Sequence, residues 1–131
     1  MANRRNKKIN ENGGSYTDYQ FRLLCRIFDF RCVKCGKQTN LAADHITPVD
    51  WGGSSNIDNI QPLCEHCNSV KGNNEAIDYR ESFYKKFKPL NSKINLARKN
   101  MAIAIFLEEY GDGYTNNIIS LWGLNTMTRG A

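Results

Sequence analysis

Apolar residues recur at helical spacing at Phe21, Leu24, Cys25 and Phe28, which predicts a helix over about 17–30 with Ser15 or Thr17 as its cap. The period then changes. Residues 41–46 read as a short strand, 47–58 as a loop carrying Pro48 and Gly52-Gly53, and 59–63 as a second strand. Ile60 and Leu63 flank Pro62 there, which is tolerable near a sheet edge. The stretch from Glu65 to Lys71 suits a short helix ended by Gly72. Two more helices are expected over about 75–87 and 93–110, separated by Pro89. The second is apolar on more than one face, as in a helix that is buried or meets a partner. A short apolar element over about 118–124 closes the chain. Residues 1–14 are polar, rich in Asn, Lys and Arg, and end in Gly13-Gly14, so a flexible basic tail is expected there. The remainder, 15–131, reads as one domain with a central core at about 32–72 and a helical extension at 75–131.

A chain of 131 residues with 40% hydrophobic and 24% charged content is one globular domain's worth of sequence. No apolar run is long enough to span a bilayer, and no secretory signal is present. A reducing, cytoplasmic setting is therefore expected, in which paired cysteines serve as metal ligands more often than as disulfides. The net charge of +5 is clustered: Arg4, Arg5, Lys7 and Lys8 crowd the start, and seven basic residues, Lys85 and Lys86 among them, lie between Arg80 and Lys99 against Glu81 alone. Such clusters suit a polyanion, although a solvated helix face would look the same. Tyr79, Phe83, Tyr84 and Phe87 share helical spacing among these charges and read as core rather than as a base-stacking platform.

Four of the five cysteines form two knuckles, Cys32-Val33-Lys34-Cys35 and Cys64-Glu65-His66-Cys67. Paired C-x-x-C units at this separation predict a tetrathiolate Zn²⁺ site, and four thiolates leave no open position, so the metal is structural. His66 is a weaker alternative ligand. Cys25, inside the apolar helical pattern, reads as a core residue. Between the knuckles, Asp44 and His45 are adjacent on a strand and should face opposite ways unless the strand bends. Asn68 follows the last cysteine, where a zinc-pinned helix could bring it toward Asp44. A carboxylate with an amide oxygen offers hard ligands suited to Mg²⁺ or Mn²⁺.

The stretch from Cys32 to Gly72 resembles the HNH endonuclease family in Asp44-His45-Ile46-x-Pro48, Gly52-Gly53, Asn59-Ile60-Gln61-Pro62-Leu63-Cys64 and Cys67-Asn68-x-x-Lys71-Gly72. The resemblance implies an α+β fold, a small ββα-metal module (HNH, His-Me finger) pinned by a four-cysteine zinc site and surrounded by helices. It implies that His45 is the general base, that Asn59 holds the loop and orients that base, and that Asn68 is the final metal-binding position beside Asp44. The last letter of the family name is an asparagine here, a version also found in the HNH domains of RNA-guided effectors, and it strengthens the case for Mg²⁺ or Mn²⁺. An imidazole, with a free pKa of ~6.5, can take a proton from water at neutral pH. The expected activity is hydrolysis of DNA phosphodiester bonds, leaving 5′-phosphate and 3′-hydroxyl ends.

Several alternatives stay open at this point. Lys71 either steadies a neighbouring phosphate or is a solvated lysine at a helix end. Trp51 either packs its loop over the zinc module or stacks on nucleic acid. A non-catalytic zinc module binding DNA or protein would keep the thiolates and the basic surface, but has no need of Asp44, His45 and Asn68 at these intervals. An HNH fold acting on structured RNA also satisfies the sequence. One site cuts one strand, so double-strand cleavage needs a homodimer or successive nicks, and the apolar helix at 93–110 offers a seam. Phosphate-directed lysines do not read bases, so little sequence specificity is expected. Compact family members are frequent in phages, where some accompany packaging proteins; host-cell cytoplasm would then be the location.

Overall fold

The computed structural model describes residues 4–87 together with 101, 104 and 105. Its elements are α1 (Arg4–Asn12), α2 (Asp18–Ile27), β1 (Leu41–His45), β2 (Ile60–Cys64), α3 (Glu65–Lys71) and α4 (Arg80–Lys86), with 3₁₀ turns at Val49–Trp51 and Ile57–Asn59 between the strands. This is the small α+β arrangement expected, with a two-stranded antiparallel sheet and a helix following directly from its second strand.

The first segment departs from the expectation of a disordered tail. It forms α1, and long-range contacts explain why: Asn12 Nδ2 donates to Val49 O at 2.8 Å and to Gly53 O at 3.0 Å, and Lys8 pairs with Asp50 at 3.0 Å. Composition favoured disorder locally, but these contacts with the inter-strand loop are tertiary and leave no local signal.

Helix α2 is capped by Thr17, not Ser15, in a complete capping box: Gln20 N donates to Thr17 Oγ1 at 3.1 Å and Thr17 N to Gln20 Oε1 at 2.7 Å. It ends at Ile27, earlier than expected, because Asp29 and Phe30 take left-handed φ values of 58° and 55° and turn the chain toward the first knuckle. Leu23, Leu24, Ile27 and Phe28 bury against Cys32, Val33, Ile57, Ile60, Leu63 and Phe83. Phe83 of α4 meets Phe28 edge-on at 5.2 Å, so this part of the aromatic stripe is core. Tyr84 and Lys85 side chains, the 118–124 element and all of 93–110 except 101, 104 and 105 lie outside the described residues.

The register pairs Asp44 with Gln61, Ala43 with Pro62 and His45 with Ile60. Pro62 sits in the sheet without loss. Its carbonyl turns outward to accept Val33 N at 3.1 Å, so its nitrogen also faces away from β1 and no ladder acceptor goes unpaired. Helix α4 starts later than expected because Gln61 and Asp78 hold 78–80 otherwise: Tyr79 N donates to Gln61 Oε1 and Arg80 N to Asp78 Oδ1, both at 2.9 Å.

Candidate active site and metal centre

The four cysteines converge as the spacing predicts. Their sulfurs all lie within 4.8 Å of one another, and Cys35 Sγ and Cys64 Sγ are 3.8 Å apart. Sulfurs ~2.3 Å from a shared tetrahedral Zn²⁺ stand about 3.8 Å from each other, so the donor set fits that ion. Local structure prepares the site: Gly36 N donates to Cys32 O at 2.8 Å, and Cys67 N to Cys64 Sγ at 3.4 Å as α3 begins. Burial pushes the Cys32 thiol up, but backbone N–H groups of Cys35, Cys64 and Lys34 outweigh it and bring it down to about 7. Burial and the neighbouring sulfurs push Cys35 and Cys67 up. Crowded thiolates of this kind call for a cation at their centre. His66 is exposed, and among the described residues the metal-ligating cluster is the cysteine tetrad. Cys25 is buried apart from it, its thiol pushed up to about 12 by burial.

A second, polar cleft of about 230 Å³ is lined by Ala43, Asp44, His45, Pro48, Val49, Asn68, Gly72 and Asn73. Asp44 and His45 thus reach one cleft at the end of β1 although neighbours in a strand point apart. Asn68 enters from α3, one helical turn past Cys64, so the zinc-pinned turn sets its position.

Asp44 is almost wholly buried. Gln61, its partner across the sheet, donates Nε2 to Asp44 Oδ2 at 2.9 Å. The same amide bonds Ile77 O at 3.0 Å, so Gln61 fixes the carboxylate against the segment leading to α4. Lys71 points into the fold rather than into solvent. Its side chain is 0% exposed, with Nζ 3.3 Å from Asp44 Oδ1 and donating to His45 O at 3.0 Å. The cause is geometric: α3 crosses the sheet, and its last turn reaches the carbonyl on the outer edge of β1.

Asn59 clamps the loop. Its Oδ1 accepts from Thr47 N at 2.9 Å, and its Nδ2 donates to Thr47 O at 3.1 Å and Ser54 O at 2.7 Å. Gly53 is required beneath this clamp, since a Cβ there would overlap the Thr47 carbonyl oxygen. On the far side of the loop, Ser55 Oγ is 3.0 Å from His45 Nε2.

Residues 32–74, from the first zinc knuckle past the end of α3, match the family model of the HNH endonuclease. Over this segment the chain is similar to the HNH endonuclease family. No curated protein and no solved structure gives a significant match to the chain. The matched segment holds both the tetrad and the cleft, while α1, α2 and α4 lie outside it.

Around the matched segment the basic candidates are spread. Lys86 is exposed, its Nζ donating to Lys34 O at 2.9 Å. Arg4 and Arg5 fall on α1, and their side chains, like that of Lys85, lie outside the described residues. Trp51 is 55% exposed on the turn beside the cleft. Gln61, Ser55 and Asn12 escaped sequence reasoning. Gln61 could have been found had the register been known, since it stands opposite Asp44; Asn12 and Ser55 leave no pattern. No helix among the described residues is long and apolar enough to cross a membrane.

Proposed function

We propose that the protein is a divalent-metal-dependent endonuclease that hydrolyses DNA phosphodiester bonds, with His45 as general base. The observation that carries this reading is the meeting of Asp44, His45 and Asn68, from a strand and a helix, around one water-accessible cleft. An isolated zinc module has no need of that convergence. Asp44 and Asn68 offer hard oxygens, and a carboxylate has lone pairs to spare beyond those facing Gln61 and Lys71, so the donor set fits a partly hydrated Mg²⁺ or Mn²⁺. Once bound, such an ion neutralises charge on the scissile phosphate and the leaving O3′.

The chain's own residues do the rest. His45 takes the proton from the attacking water. Asn59, by clamping Thr47 to Ser54, keeps the loop that follows the base in one shape. Basic residues of α1 and α4, among them Arg4, Arg5, Lys85 and Lys86, attract the phosphate backbone without reading bases, so cleavage has little sequence preference and a monomer nicks. Supercoiled-plasmid cleavage with Mg²⁺, Mn²⁺, Zn²⁺ or EDTA, wild type against His45→Ala, tests the reading. Conversion to open circles that is lost with EDTA and with the substitution is expected. Intact plasmid after incubation of folded, zinc-loaded protein with every metal would point instead to a binding module or to RNA.

A further inference from the structure

The support of His45 extends beyond the matched HNH segment. Ser55 is buried, and its Oγ meets His45 Nε2 at 3.0 Å. Its own backbone is gripped from the start of the chain, with Ser55 N donating to Gly13 O at 3.0 Å. Asn12 holds the same loop through Val49 O and Gly53 O, and Asn59 holds Ser54 O next door. The approach is close: a Cβ on Gly14 would run into the Asn56 side chain and backbone.

We infer that Ser55 is a positioning residue for His45, accepting a hydrogen bond from Nε2–H, and that residues 12–14 at the exit of α1 hold Ser55 in place. The inference rests on the reading of His45 as the base and names what orients it. A neutral imidazole carries one N–H and one lone pair, so a proton fixed on Nε2 puts the lone pair on Nδ1. The hydroxyl adds no net charge; its effect is on orientation and tautomer. Helix α1 thereby becomes part of the catalytic apparatus, although 41 residues of chain separate Gly13 from Ser55.

Ring ¹H–¹⁵N spectra read the tautomer directly, since the chain has two histidines and His45→Ala assigns the signals. In wild type the proton is expected on Nε2 of His45. Ser55→Ala should give a mixture of tautomers and lower kcat about tenfold at unchanged KM and zinc content, the scale of one hydrogen bond. Asn12→Ala, which removes the bonds to Val49 O and Gly53 O but none to Ser55, should move both readouts the same way by less. A wild-type proton on Nδ1, or Ser55→Ala with wild-type tautomer and rate, overturns the assignment of Ser55, and an unaltered Asn12→Ala overturns that of α1. Full activity in His45→Ala would remove the base itself, a failure distinct from an inactive His45→Ala beside an unaffected Ser55→Ala.

Discussion

Lys71 Nζ stands 3.3 Å from Asp44 Oδ1, and the two side chains are 0% and 6% exposed. The candidate metal ligand is therefore already neutralised by a cation of the protein's own. Removing one partner of such a pair costs about 3–5 kcal/mol because the other charge stays buried without compensation. A divalent ion in the cleft would supply that compensation. Lys71→Met is expected to melt lower than wild type as zinc-loaded protein without added Mn²⁺, and to gain more stability from Mn²⁺. Thermal melts with and without Mn²⁺ check this; equal gains in the two proteins would mean that ammonium and ion do not compete for Asp44.

His45→Ala should lower the cleavage rate by at least about 10²-fold, the usual scale for a general base. Zinc content and DNA affinity should stay near those of wild type, because the ring lies outside the tetrad and its backbone carbonyl still accepts from Lys71. Loss of folding in this variant would make His45 structural rather than catalytic.

Cys25 reports whether the core depends on the metal. Its thiol, pushed from 9.0 to about 12 by burial, should stay unreactive toward a thiol reagent at pH 8 in zinc-loaded protein, since reactivity follows the thiolate and its onset is moved to higher pH. The tetrad should be shielded by its metal. A strong chelator should then expose all five thiols in one phase, if zinc holds the module folded. Four fast thiols with Cys25 still protected would show that the core stands without the metal.

Gly53→Ala probes the loop. The added methyl overlaps the Thr47 carbonyl oxygen and crowds Asn59 Nδ2 at 3.0 Å, so the clamp must open. A stability loss of about 1–3 kcal/mol, the range for overpacking, is expected together with lower activity. Gly52→Ala, where a Cβ meets nothing within 4 Å, serves as the steric control, though its φ of +89° still adds strain. A melt in which Gly53→Ala matches wild type would show that the loop is not held as tightly as Asn59 suggests.

The cysteine spacing made the zinc tetrad legible in the sequence, and the hydrophobic period placed α2, both strands and α3 within a few residues. Local chemistry was sufficient there: a capping residue, a glycine stop, a change of period. What stayed hidden depended on register and on contacts between distant residues. Asp44 and Gln61 share a face only because 44 pairs with 61, and a slip of one residue would part them. Lys71 read either as a phosphate contact or as a solvated helix-end lysine, and its burial follows from the crossing of α3 over β1, which no local pattern announces. The segment preceding Gly13 looked disordered because its order comes from a loop more than thirty residues away.

The outer rims of the sheet have a bearing on behaviour at high concentration. A two-stranded sheet ordinarily offers two open edges to any extended chain that drifts past. Here His45 O on one rim is taken by Lys71, and on the other Pro62 O by Val33 and Ile60 O by Arg80, whose guanidinium is braced by Asp78. Proline adds a position that cannot donate. Strand-by-strand growth into fibrils therefore finds little purchase on these three carbonyls.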